Sequence, residues 1–151
     1  MKTFQTLQEV AALVGQEVAV SDWVTITQDQ VNQFAEATGD HQWIHVDVAR
    51  AQAGPFGAPI AHGFLTLSLL PQFFDSAMSI VESRMGVNYG LNRVRFMAPV
   101  PVGSRLRARI KLLQCEPVEP DGYQMTWEVT VEREGGGKPV CVAESIARRY
   151  P

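Results

Sequence analysis

Two side chains of the kind that move protons near neutral pH lie close together in the segment TGDHQWIHVDVARA, residues 38–51. Asp40 directly follows Gly39, and His45 comes five residues later. A carboxylate and an imidazole at the two ends of one short segment can reach the same small molecule, and their surroundings can tune their pKa values to that task. The pair therefore indicates general acid–base chemistry. The structural alternative is that Asp40 only belongs to a turn and that His45 is a core imidazole.

The spacing of His41 and His45 also needs an explanation. The two residues are four positions apart, which on a helix is a spacing for metal ligands. Gly39, however, is expected to end the preceding helix before either histidine is reached. We therefore predict no metal site.

Capping signals place Asp40 just past the end of a helix. Thr27 and Gln30 form a capping box, an apolar face follows at helical spacing, and Gly39 is the expected stop. A second box, Thr6 and Glu9, predicts a first helix that ends near Gly15. The carboxylate is thus expected on an anchored backbone.

The most hydrophobic stretch, residues 60–81, predicts a helix that is buried on all sides because it has almost no polar face. Pro71 interrupts it, so a kink is expected there, or a break with Pro71 starting a second helix. A loop rich in Gly and Pro, residues 54–59, leads into this helix. Asp47 is expected to cap the short helical turn before that loop.

The remainder of the chain is predicted to form strands. Alternating apolar residues indicate an early strand over 17–26, with a possible bend at Ser21-Asp22, and four later strands, 88–96, 104–113, 123–132 and 139–149. The economical assembly is a curved antiparallel sheet wrapped around the central helix, an α+β architecture. We predict one domain spanning residues 1–151.

Composition excludes several classes of function. The formal net charge of −3 gives no electrostatic footprint for nucleic acid. No apolar run is long enough to cross a membrane or to act as a signal peptide. Cys115 and Cys141 have no metal-binding spacing and are interpreted as reduced core thiols. We expect a cytoplasmic protein.

The order of motifs resembles the MaoC-like, (R)-specific enoyl-CoA hydratase family, which has the hot-dog fold. The matching elements are an aromatic residue, then Gly-Asp, a spacer, His and a small residue, followed by a Pro-Ile-Ala-His-Gly segment and an Arg-Phe-x-x-Pro-Val segment. They are Phe34, Gly39-Asp40, His45, Ala51, Pro59–Gly63 and Arg95–Val100. Many members have Asn-Pro where this chain has Gln42-Trp43.

The resemblance implies hydration of trans-2-enoyl-CoA to (3R)-3-hydroxyacyl-CoA, with dehydration as the reverse reaction and no cofactor. Asp40 and His45 would share the two proton transfers on one water. The backbone N–H of Gly63, at the positive end of the central helix, would stabilise the developing oxyanion. Gln42, His62 and Arg95 are predicted substrate-binding residues, although a structural role is favoured for His62.

The sequence is also compatible with other functions. The hot-dog scaffold also hosts acyl-CoA thioesterases, although residues 63–74 contain no carboxylate to serve one. A non-catalytic subunit that binds or assembles acyl thioesters is a further alternative. The predicted partners are acyl-CoA or an acyl carrier protein and a second copy of the chain, since family members usually form dimers or larger assemblies. The basic row Arg105, Arg107, Arg109 and Lys111 could attract coenzyme A phosphates, but a solvated strand face is favoured.

Overall fold

The structure is a computed structural model that describes residues 1–151, and it contains six helices and eight strands. The helices are short, and none is both long and apolar enough to cross a membrane. The helices are α1 (Leu7–Ala11), α2 (Gln28–Thr38), α3 (Trp43–Val46), α4 (Val48–Gln52), α5 (Gly63–Ser68) and α6 (Leu70–Ala77). The strands are β1 (Lys2–Phe4), β2 (Glu17–Val20), β3 (Val24–Thr25), β4 (Met78–Ile80), β5 (Met85–Arg95), β6 (Arg105–Val118), β7 (Gly122–Arg133) and β8 (Cys141–Tyr150).

The main sheet is antiparallel and has the order β2-β6-β7-β8-β5, with β3 also pairing with β6. The helices α5 and α6 pack on one face of this sheet, and a core of 25 buried residues joins the two layers. Leu65 and Phe73 come from the helices, and Val129 and Ala143 from the strands. This confirms the predicted α+β hot-dog architecture.

The helical segment is broken at Leu69, and Pro71 lies in the first turn of α6, so the second of the two expected possibilities is confirmed. The observed helical segment differs from the prediction in its end and in its burial. The helix ends at Ala77, and β4 follows at once. Burial on all sides was wrong, because Phe64 is 69% exposed in the single chain.

The early strand is also divided, since residues 21–23 separate β2 from β3. The hydroxyl of Ser21 explains the bend, because it accepts the N–H of Ala108 while donating to the carbonyl of Asp22. A short parallel pairing between β1 and β4 was not predicted. Both cysteines are unpaired, and burial raises the pKa of the Cys141 thiol to about 11.

The three arginines of the basic row on β6 form ion pairs with carboxylates. Arg105 pairs with Glu134, Arg107 with Glu132, and Arg109 with both Glu132 and Glu17. These ion pairs favour the solvated strand face over the phosphate-binding alternative.

Candidate active site

Asp40 lies directly after α2, as expected. Thr27 caps the start of the helix by accepting the N–H of Gln30, and Gly39 ends it in the left-handed region at φ +83°. A side chain other than glycine rarely adopts this conformation, so the helix stop depends on Gly39. The Asp40 side chain is exposed, and its Oδ1 accepts the N–H of Gln42 at 3.3 Å. The carboxylate is therefore oriented by a local turn but open to a ligand.

His45 is buried on α3, and the position of its proton is fixed. Its Nδ1 lies 2.6 Å from the carbonyl oxygen of Ile60. A carbonyl can only accept, so Nδ1 carries the hydrogen and Nε2 of the neutral ring is left with a free lone pair. Burial, followed by the neighbouring His62, lowers the pKa of His45 below 6.5, although the bond to Ile60 and the charge of Asp40 oppose this. The ring is thus an available base near neutral pH.

The backbone of His45 is held from the other side by Gln28. The side-chain amide of Gln28, in the first turn of α2, donates to the carbonyl oxygen of His45 at 2.8 Å. Sequence reasoning did not find Gln28, because a glutamine near a helix start has no distinctive pattern. The contact becomes visible only when residues 28 and 45 are brought together by the fold.

His62 connects Asp40 to the start of α5. Its Nε2 lies 3.0 Å from the backbone carbonyl oxygen of Asp40, so Nε2–H is the donor. Its ring stacks on that of His45, with centroids 3.8 Å apart and planes inclined by 23°. Phe34 packs on His62 at 4.9 Å. His62 is only 3% exposed, so the two buried imidazoles pack together against α2.

Asp40, His45 and His62 each bring one ligand-type atom within 4.8 Å of the others. A metal ion is nevertheless poorly served by this arrangement. Two imidazoles bind one ion when their in-plane lone pairs converge on it at about 2.0–2.1 Å, whereas nearly parallel stacked rings direct their lone pairs side by side. The cluster suits proton transfer better than coordination.

Gly63 begins α5 beside this cluster, and its backbone N–H is not used by any backbone or side-chain acceptor. A Cβ at this position would lie 3.0–3.1 Å from three atoms of the Phe96 ring. A side chain at this position would therefore crowd the Phe96 ring, which would have to shift by a few tenths of an ångström to make room. The N–H is an unpaired donor at the positive end of a helical turn.

A cavity of about 340 Å³ adjoins His45 and Gly63. Its other lining residues are mostly apolar: Phe56, Ile60, Ala61, Thr66, Phe96, Met97, Ala98, Pro99, Val100 and Val140. The volume lies within the range of small-molecule sites, and the lining suits a hydrocarbon chain with a polar head at His45. Thr66 was overlooked in the sequence, where it is the single hydroxyl between Gly63 and Leu67.

The structure does not bring every predicted residue to this cavity. Arg95 lines a separate groove with Arg93, Glu128 and Glu144, and its guanidinium donates to the carbonyl of Val94. Gln42 is exposed and contributes its backbone N–H to the Asp40 turn. Substrate-binding roles for Arg95 and Gln42 stay predictions.

Trp43, which takes the place of the usual proline, packs under Arg50, with the guanidinium carbon 4.3 Å from the ring centroid. The expected cap by Asp47 is confirmed, since its Oδ1 accepts the N–H of Arg50 at 3.1 Å.

Solved structures share this hot-dog fold. R-Hydratase PhaJ1 from Pseudomonas aeruginosa, in the unliganded form, superposes with a TM-score of 0.67 and 25% sequence identity, covering 89% of this chain and 79% of that one. The (R)-hydratase from A. caviae involved in PHA biosynthesis superposes with a TM-score of 0.68, covering 88% of this chain and 98% of that one. Its identity of 22% shows the fold alone.

Sequence comparison then gives the family. The profile described as MaoC like domain matches residues 9–134. The chain is 56% identical over 148 residues to 3-hydroxyacyl-thioester dehydratase Z of Mycobacterium tuberculosis, covering 98% of both. It is 49% identical over 144 residues to Nodulation protein N of Rhizobium meliloti, covering 94% of this chain and 89% of the relative. The chain belongs to the MaoC-like dehydratase domain family.

Proposed function

We propose that this protein is a hydro-lyase that reversibly hydrates a trans-2-enoyl thioester to the (3R)-3-hydroxyacyl thioester. The observation that carries the proposal is the free Nε2 of His45 beside the exposed carboxylate of Asp40, next to an apolar cavity that starts at an unpaired Gly63 N–H. The relative named 3-hydroxyacyl-thioester dehydratase Z supports the same reaction class.

The chemistry adds water across one double bond. The oxygen of the water attacks C3, a proton leaves that water, and a proton is delivered to C2. His45 and Asp40 contact the water from two sides and share these transfers, so their apparent pKa values belong to the pair. While C3 is attacked, negative charge develops on the thioester oxygen, and the Gly63 N–H stabilises it. In the reverse direction the same groups remove C2–H and protonate the leaving hydroxyl.

The test follows crotonyl-CoA by loss of the enoyl absorbance and, in parallel, by release of free thiol. We expect hydration without thiol release. Asp40→Asn and His45→Gln should each lower kcat by at least about 10²-fold, the scale of general acid–base groups. His41→Gln is the matched control, because His41 is an exposed histidine of the same segment whose Nδ1 lies 3.8 Å from the carboxylate of Glu36.

Three results would contradict the proposal. Thiol release without hydration would indicate a thioesterase, and binding without turnover would indicate a non-catalytic subunit. Near-parental rates in both Asp40→Asn and His45→Gln would exclude Asp40 and His45 as the catalytic pair. Repeating the assay with crotonyl thioesters of coenzyme A and of an acyl carrier protein decides which carrier the enzyme prefers.

We also propose that the protein works as a homodimer. The eleven-residue β5 is an outer strand of the sheet, and the alternating side chains of Met85, Val87, Tyr89 and Leu91 are about half exposed. A long apolar edge of this kind is normally covered by another strand. Sedimentation of the active protein should show a particle of two chains or more, and a fully active monomer would contradict this.

A further inference from the structure

Thr66 carries a polar group that no contact within the chain explains. The residue lies three positions after Gly63 on α5 and is 1% exposed. It lines the cavity that also adjoins His45 and Gly63. Its hydroxyl oxygen is buried and has no hydrogen-bond partner.

Other helical hydroxyls in this protein behave differently. Serine and threonine in helices commonly donate to the carbonyl one turn back, and Thr38 and Ser68 do so, each at 2.7 Å. The corresponding carbonyl for Thr66 is that of His62, which accepts the N–H groups of Leu65 and Thr66 but not the Thr66 hydroxyl. The Thr66 hydroxyl therefore differs from those of Thr38 and Ser68 in having no acceptor.

A buried hydroxyl without a partner destabilises the folded chain, and valine would fill the same space without that loss. Such a group in a cavity calls for a ligand that supplies the missing hydrogen bond. Threonine in a helix populates two χ1 rotamers, so the hydroxyl can turn without movement of the helix.

We propose that Thr66 is a substrate-binding residue whose hydroxyl donates a hydrogen bond to an oxygen of the acyl thioester in the cavity. This inference rests on the proposed function. The acyl head offers two acceptors of this chemistry, the thioester carbonyl at C1 and the hydroxyl at C3. The remaining lining of the cavity is mostly apolar, so the Thr66 hydroxyl distinguishes a polar head from a plain hydrocarbon.

The experiment uses Thr66→Val, which removes the hydroxyl but keeps the shape, and Thr66→Ser, which keeps the hydroxyl. Thr126→Val is the matched control, since Thr126 is a buried threonine of β7 that does not line this cavity. Affinities for crotonyl-CoA and 3-hydroxybutyryl-CoA are measured in an Asp40→Asn background, where conversion is expected to be at least about 10²-fold slower, so that binding is measured before either ligand is appreciably converted. The Tm is measured without ligand.

Thr66→Val should raise the Tm by about 2–4 °C, because it removes an unpaired buried hydroxyl. It should also weaken ligand binding by about 3- to 10-fold, the value of one neutral hydrogen bond. Thr66→Ser and Thr126→Val should retain affinity. Weaker binding of both ligands supports a bond to the carbonyl, and weaker binding of 3-hydroxybutyryl-CoA alone supports a bond to the C3 hydroxyl.

Unchanged affinity in Thr66→Val would overturn the inference, and so would a lower Tm, which would reveal a structural partner for the hydroxyl. The proposed function fails separately. If the parent protein binds crotonyl-CoA through Thr66 without hydrating it, the hydro-lyase proposal is wrong and the role of Thr66 stands. If the parent protein hydrates crotonyl-CoA and Thr66→Val binds normally, only the role of Thr66 is wrong.

Discussion

Two substitutions of His62 can distinguish the hydrogen bond that it donates to the Asp40 backbone from the stacking of its ring on His45. Gln at this position offers an N–H near the place of Nε2 but has no ring, whereas Phe offers the ring without the donor. His62→Gln therefore preserves the 3.0 Å contact with the Asp40 carbonyl, and His62→Phe preserves the 3.8 Å stack on His45. The two variants distinguish the positioning of Asp40 from simple filling of space.

The expected losses follow from the magnitudes of the two contacts. A neutral hydrogen bond contributes about 0.5–1.5 kcal/mol, and an aromatic pair contributes a similar amount. Both variants should therefore lower the Tm by a few degrees. Only His62→Phe releases the Asp40 backbone, so its kcat should fall by up to about 10-fold, since 1.4 kcal/mol corresponds to a factor of ten. His62→Gln should lose less.

The pH profile supplies an independent readout. His62 is one of the two ionisable groups that influence His45, and it lowers the pKa of His45, while the other, Asp40, raises it. Removing His62 in either variant should raise the pKa of His45, so the base becomes protonated at a higher pH. The acid limb of kcat/KM should accordingly move to higher pH in both variants.

The assay combines kcat, KM and the limb of the pH profile for crotonyl-CoA hydration with the Tm of each variant. If His62→Phe keeps the parental kcat, or if His62→Gln loses more than His62→Phe, the hydrogen bond does not position Asp40. Measured ring tautomers give a check without turnover: NMR should find hydrogen on Nε2 of His62 and on Nδ1 of His45.

Two further predictions concern Gly63 and the pH dependence of stability. In Gly63→Ala the new methyl group meets the Phe96 ring at 3.0–3.1 Å. Because the partly exposed ring should then move into the cavity, kcat/KM should fall about 10-fold with little change in Tm. A second substitution, Phe96→Ala, should restore part of the rate. Failure of that rescue would mean that the methyl group acts elsewhere. The pKa of His45 is below 6.5 in the folded chain. As the pH falls, His45 is therefore protonated in the unfolded chain before it is protonated in the folded chain, so the contribution of neutral His45 to the free energy of unfolding is present above pH 6.5 and is lost below it. The Tm of His45→Gln should therefore decline less between about pH 7 and about pH 5 than the parental Tm, and parallel curves would show that His45 does not titrate in this way.

Local chemistry explains why much of the scaffold was predictable. The cap at Thr27 and the left-handed stop at Gly39 depend on neighbours within four residues, so the position of Asp40 could be read from the sequence. The alternation along β6 and β7 likewise survives in the structure, because each strand buries one face.

The unpredicted parts depend on contacts between distant residues. An apolar run cannot tell a helix from a buried strand, so the end of α6 and the start of β4 were missed. The tautomer of His45 is set by Ile60, fifteen residues away, and that of His62 by the backbone of Asp40, twenty-two residues away. The placement of Arg95 outside the cavity follows from the sheet, which the motif alone does not describe.

The pairing of β1 with β4 has a practical consequence for anyone who handles this protein. The carbonyls of Phe4 and Gln5 accept the N–H groups of Val81 and Glu82, and Glu82 in return accepts the N–H of Leu7. Residues 4–7 are thus hydrogen-bonded to residues 81–82, in the segment that follows α6 and β4. Deleting these N-terminal residues, or fusing a bulky partner directly to them, should destabilise the C-terminal end of α6. Asp40 and His45, which lie near the start of α5, should stay in place.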